Sequence, residues 1–82
     1  MGSVTPELSE RINHLVTREF ELDGTAITPD SDLYNDLGLD SLDAIDLVVA
    51  LEKTFGFKVE EGAARKVRRM GQLYEFVAER VA

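Results

Sequence analysis

Asp36-Leu37-Gly38-Leu39-Asp40-Ser41-Leu42-Asp43-Ala44-Ile45-Asp46-Leu47-Val48-Val49-Ala50-Leu51-Glu52 is the stretch on which the fold turns. Its second half has the period of a helix. Ala44, Leu47, Val48, Leu51 and then Phe55 fall on one side of a helical wheel, with Ile45 at the edge. Its start is equally marked, because Asp40 suits the N-cap and Asp43, three residues on, reaches back as a short-armed capping box. Lys53 suits the last turn and Gly56 the C-terminal stop. Ser41 therefore stands where a loop with a turn at Gly38 runs into a helix N-terminus, with acids on both sides. Nothing nearby in sequence activates a nucleophile. The single histidine, His14, falls in another predicted helix, there is no cysteine, and no lysine comes closer than Lys53. The serine reads as a residue that receives chemistry.

On the N-terminal side, Thr5-Pro6 is a helix start with a hydroxyl at the N-cap and proline in the first turn. Leu8, Ile12, Leu15, Val16 and Phe20 follow as one apolar stripe. Residues 21–40, with Gly24, Pro29, Gly38 and six acids, read as a long loop tied down by Ile27, Leu33, Leu37 and Leu39. A loop this long in a small domain is more often functional than idle. On the C-terminal side, residues 60–68 suggest a short helix using Ala63, Ala64 and Val67. Met70, Leu73, Phe76, Val77 and Val81 then give a last helical stripe. The expected architecture is all-α, a four-helix bundle of three longer helices plus one short, in a single domain spanning 1–82.

At 82 residues the chain is near the lower size limit for a core that folds without staples. With no cysteine there is neither a disulfide framework nor a zinc site, so the core is apolar; hydrophobic residues at 44 % suffice for it. The net charge of −7 argues against nucleic acid and anionic membrane as partners, the Arg65–Arg69 cluster notwithstanding. The charge is unevenly spread. Residues 19–61 hold twelve acids against Lys53 and Lys58, net −10, whereas residues 62–82 are net +3. A visitor to Ser41 is expected to approach with a basic surface. No run is long enough to insert in a membrane and no signal peptide precedes the first helix, so the expectation is a cytoplasmic monomer.

The outward face of the central helix carries Leu42, Asp46, Val49 and Lys53, flanked by Asp43 and Glu52. Scattered exposed aliphatics are ordinary. Here they begin one residue from Ser41, which favours a docking strip: acids steer a basic partner and two aliphatics anchor it. The acids of the loop offer no calcium site. Neither the frame through Asp30, Asp32 and Asp36 nor that through Asp36, Asp40 and Asp43 supplies both the sixth-position glycine and the twelfth-position glutamate of an EF-hand, and no metal is expected.

The run from Asp36 through Glu52, followed by Phe55-Gly56, resembles the acyl carrier proteins, and the likeness covers nearly the whole domain. In that family an Asp-Ser-Leu motif opening the second helix accepts 4′-phosphopantetheine. The resemblance implies that Ser41 carries this prosthetic group through a phosphodiester, added by a phosphopantetheinyl transferase, and that its terminal thiol holds acyl chains as thioesters. It implies that Asp40, Leu42, Asp43, Asp46, Val49 and Glu52 meet the transferase and acyl-processing enzymes with basic docking surfaces. It further implies an acyl cavity lined by Leu33, Val48, Leu51, Val59, Ala64, Val67, Leu73 and Phe76, although any of these residues also serves as plain core. The chain is then a carrier in fatty-acid, lipid or polyketide-type biosynthesis and not an enzyme. A peptidyl or aminoacyl carrier of nonribosomal assembly, and an unmodified interaction module of the same fold, are the alternatives.

One departure stands out. Where common fatty-acid carriers have an acidic third helix opened by proline, this chain has Val59-Glu60-Glu61-Gly62 and then Arg65-Lys66-Val67-Arg68-Arg69. That basic segment is either a solvated face neutralising the acidic loop or the mark of a carrier dedicated to its own partner enzymes.

Overall fold

In a computed structural model of the protein, the described residues are 4–22, 26–59 and 62–81. They form three α-helices, α1 (Pro6–Phe20), α2 (Ser41–Phe55) and α3 (Met70–Val81), and no strand among them. Helix α1 packs against both α2 and α3. None of the described helices is long and apolar enough to cross a membrane.

Each helix starts where its sequence says it should. The Thr5 hydroxyl accepts from the Leu8 N–H at 3.1 Å, and Pro6 opens α1 at a position whose N–H has no helical partner anyway. Ile12, Leu15 and Val16 of α1 are buried against Leu47 and Leu51 of α2 and Met70, Leu73 and Val77 of α3 in one core. Gly56 ends α2 with φ 75°, a left-handed conformation that glycine adopts without steric cost, and its N–H returns to the Glu52 carbonyl. A cross-link joins α1 to α3: the buried Tyr74 hydroxyl donates to Asn13 Oδ1. Burial raises the Tyr74 pKa above that of an ordinary phenol, against the opposing pull of the Asn13 bond.

Two helical stripes differ from expectation at their margins. Val81, expected in the core, is exposed at the end of α3, and Tyr74 and Ala78 are buried in addition to Met70, Leu73, Phe76 and Val77. Ile45 is exposed on α2, not tucked at the core edge.

The short helix expected over 60–68 is not an α-helix. Its described part holds a single 3-10 turn, Ala63–Lys66, and residues 60 and 61 lie outside the described residues. The reason lies in the backbone that follows. Arg68 gives its carbonyl to the Leu33 N–H at 2.7 Å, and Arg69 pairs with Asp32 as an isolated antiparallel bridge. Backbone committed to the loop cannot continue a helical ladder.

The loop between α1 and α2 is thereby fastened to the start of α3. Ser31 and Pro29 carbonyls accept from the Met70 and Gly71 N–H groups at 3.0 and 2.8 Å. These are first-turn donors that a helix cannot satisfy itself. Gly71 permits the approach: a side chain there would place its Cβ 3.2 Å from the Pro29 oxygen. Leu33, Leu37 and Leu39 are buried and Ile27 half-buried, as the loop's apolar residues require.

Candidate functional site

Ser41 is the first residue of α2 and is exposed. The turn before it is rigidly placed. Gly38 takes φ 73°, Leu37 and Leu39 are buried on either side of it, and the Leu39 N–H donates to the Leu33 carbonyl at 3.0 Å. Asp40 and Asp43 form the expected capping box, with the Asp43 N–H to Asp40 Oδ1 at 2.8 Å and the Asp40 N–H to Asp43 Oδ2 at 3.1 Å. A cap of this kind stabilises a helix by about 1 kcal/mol. It uses the N3 donor and leaves the N–H groups of Ser41 and Leu42 without an intrahelical acceptor. An exposed hydroxyl beside two open donors at the positive end of a 15-residue helix suits a phosphodiester. The dipole contributes on the order of 0.3–1 kcal/mol there, and the repulsion from Asp40 and Asp43 is screened by water and salt.

Running away from Ser41, the outward face of α2 presents Leu42, 70 % exposed, Ile45, 61 %, and Val49, 41 %. Asp40 and Asp46 are exposed and Asp43 half-buried. The sequence reading missed Ile45. Its signal is present all the same, because spacings of three and four place it on one stripe with Leu42 and Val49. Glu52, half-buried at the edge of this face, accepts from the Val59 N–H through Oε2 at 2.8 Å and so anchors the chain after α2.

Behind α2 lies an apolar cavity of about 20 Å³. Leu33, Val48, Leu51, Val67, Leu73 and Phe76 are among the residues that line it. Tyr34, Ala44 and Leu47 line it too. Val59 does not; it packs half-buried at the core margin, drawn there by Glu52. The Ala64 side chain lies outside the described residues. The space suffices for about one water molecule.

The loop residue that organises this wall is Asp32, which is buried. Its Oδ1 accepts from the Tyr34 and Asn35 N–H groups at 2.8 and 3.0 Å, and its Oδ2 lies 3.5 Å from the Arg68 guanidinium. The Asp36 carboxylate accepts from the Asp32 N–H at 2.7 Å. Asp32 and Asp36 thus bind backbone donors of their own loop, and no group of three potential cation ligands is found among the described residues. The Asn35 N–H foremost, then the Tyr34 N–H and the Arg68 charge, hold the Asp32 carboxyl below its ordinary pKa against the opposing effect of burial. A depressed folded-state pKa contributes stability at pH values above the unfolded value, near 3.9, and loses it as pH falls through the folded value. Urea midpoints of the wild type should therefore fall on acidification below about pH 4 more steeply than those of Asp32→Asn, which has no such proton to gain.

The basic segment is divided. Arg68 pairs with Asp32, and Arg69 donates from Nη1 to the Asp30 carbonyl at 2.8 Å, so both fasten the acidic loop. Lys66 is exposed, and the Arg65 side chain lies outside the described residues. His14 is exposed on α1.

Residues 10–77 match the family described as a phosphopantetheine attachment site. An acyl carrier protein of Guillardia theta is 32 % identical over 76 residues, 93 % of this chain and 94 % of that one. A mitochondrial acyl carrier protein of Arabidopsis thaliana is 36 % identical over 72 residues, which span 88 % of this chain and 57 % of the relative. A solved structure of a candidate acyl carrier protein from Mycobacterium tuberculosis superposes with a TM-score of 0.81 at 32 % identity, covering 88 % of this chain and 96 % of that one.

Proposed function

From the premise that this chain belongs to the phosphopantetheine-attachment family of acyl carrier proteins, we propose that Ser41 is the residue that bears the arm. Membership brings with it a covalent 4′-phosphopantetheine and an acyl carrier function; such proteins carry and do not catalyse. The attached group supplies a mobile thiol that holds an acyl chain as a thioester, which this cysteine-free chain does not provide itself. The observation that carries the assignment is an exposed hydroxyl at the first residue of α2, beside two first-turn N–H groups with no helical acceptor.

The chain's own contribution is positional. The buried Leu37 and Leu39 and the capping box fix the Ser41 Oγ at the helix end. The Ser41 and Leu42 N–H groups, which have no intrahelical acceptor, would be available to the phosphate of an attached arm. Partner enzymes dock on the stripe from Leu42 through Ile45 to Val49, guided by Asp40, Asp43 and Asp46. The chain serves acyl assembly of the fatty-acid, lipid or polyketide type.

The test is intact-mass measurement of the chain before and after incubation with a phosphopantetheinyl transferase and its donor, followed by enzymatic acylation. One arm and one acyl group should be gained. A chain that gains no arm refutes the assignment. For the docking stripe, Ile45→Glu should leave the thermal midpoint nearly unchanged, because the side chain is exposed, while weakening binding to the transferase through loss of an apolar anchor. Undiminished binding by surface plasmon resonance would remove Ile45 from the interface.

A further inference from the structure

On the carrier reading, we propose that Tyr34 determines how long an acyl chain the cavity admits, with Asp32 and Arg68 as positioning residues that hold its ring across the rim. The lining residues fall into two groups by exposure. Leu33, Leu47, Leu51, Val67, Leu73 and Phe76 are buried and form the floor, whereas Tyr34, Ala44 and Val48 are half-buried and mark the opening. Ala44 and Val48 stand three and seven residues from Ser41 on the same helix, so a chain tethered at Ser41 reaches the cavity over them. Both are fixed to α2, and Ala44 is small. Tyr34 is the bulky side chain at the rim and the one carried by a loop.

About 20 Å³ is too little for an alkyl chain, so a chain that enters displaces part of the lining. The backbone at Tyr34 is held by the Asp32 carboxylate through its N–H, which leaves rotation of the ring. That ring meets the Arg68 guanidinium at 5.5 Å from its centroid, and the same guanidinium lies against Asp32 Oδ2. One carboxylate therefore fixes both the ring's attachment point and the cation it leans on. A short chain is accommodated with small adjustments of the rim. A longer one has to expel the ring from its cation or remain outside in water.

The experiment uses the full chain carrying its arm, loaded in turn with butyryl, octanoyl and dodecanoyl groups. Two quantities are read for each: the thermal midpoint relative to the unacylated protein, and the rate of thioester cleavage by hydroxylamine. Burial of the chain raises the first and slows the second. The wild type should protect butyryl and lose that protection by dodecanoyl. Tyr34→Ala should extend it, with octanoyl and dodecanoyl cleaved several-fold more slowly than in the wild type. Tyr34→Phe keeps the ring and its cation contact and should restore the wild-type profile. Arg68→Gln leaves the ring in place but removes its cation, and should shift the profile in the direction of Tyr34→Ala. Its side chain is 59 % exposed, so it also decides the matter should Tyr34→Ala fail to fold. A wild type that already shields dodecanoyl, or variants that all share one chain-length profile, would overturn the proposal. A protein that never gains the arm fails earlier, at the intact mass, and that result counts against the carrier assignment itself.

Discussion

Ser41→Ala is expected to abolish attachment of 4′-phosphopantetheine while leaving the fold intact. The site has a single hydroxyl, and none of the neighbouring side chains can substitute for it chemically: Asp40, Leu42 and Asp43 offer no nucleophile of that kind. The described serines elsewhere are engaged. Ser9 donates to the Pro6 carbonyl, and the buried Ser31 hydroxyl accepts from the Thr28 N–H. The Ser41 hydroxyl makes no hydrogen bond among the described residues, and the capping box is built from Asp40 and Asp43 alone. Alanine is also the most favourable residue for a helix. The change in stability should therefore stay within about 0.5 kcal/mol. Intact-mass spectrometry after transferase treatment, paired with a melting curve, checks both halves. An arm still gained by Ser41→Ala would move the attachment point elsewhere.

The largest loss of stability is expected from Leu51→Ala, about 2–5 kcal/mol. Leu51 is fully buried on the inner face of α2, in the core that α1 and α3 share, and it also lines the existing cavity. Truncation removes its apolar contacts and enlarges a void already present in a close-packed core, which relaxation fills only in part. A domain of this size has a total stability of about 5–15 kcal/mol, and each lost kcal/mol lowers the thermal midpoint by about 4–8 °C. A drop of about 8 °C or more is expected, against almost none for a change at the exposed Ile45, six residues earlier on the same helix. Chemical denaturation with a fixed m-value is the check. A loss below 1 kcal/mol would mean that the helices close over the gap.

Much of the scaffold was legible because its signals are local. Thr5-Pro6 and the Asp40–Asp43 pair each announce a helix start within four residues, and Gly56 announces a stop. Ser41 stood out for the same reason. What escaped the sequence depends on partners far apart in the chain. Asp32 looks like any surface acid until Arg68, thirty-six positions later, is brought beside it. The region 60–68 carries helical residues, yet its following backbone is claimed by Leu33 and Asp32, so the local preference is overridden. Ile45 was misplaced by a wheel drawn with too generous a core. Val81 was misplaced because periodicity says which face a residue shares, not whether anything lies opposite.

The way the loop terminates α3 has a consequence for how the molecule opens. Met70 and Gly71 amides are bonded outside their own helix, to Ser31 and Pro29, so their exchange with deuterium reports on the loop and not on fraying of the helix. Loop and first turn are joined through these two bonds, so opening of one is expected to release the other. Since Leu73 and Phe76 follow directly on that turn, an excursion of residues 29–33 into solvent also unseats the inner wall of the cavity.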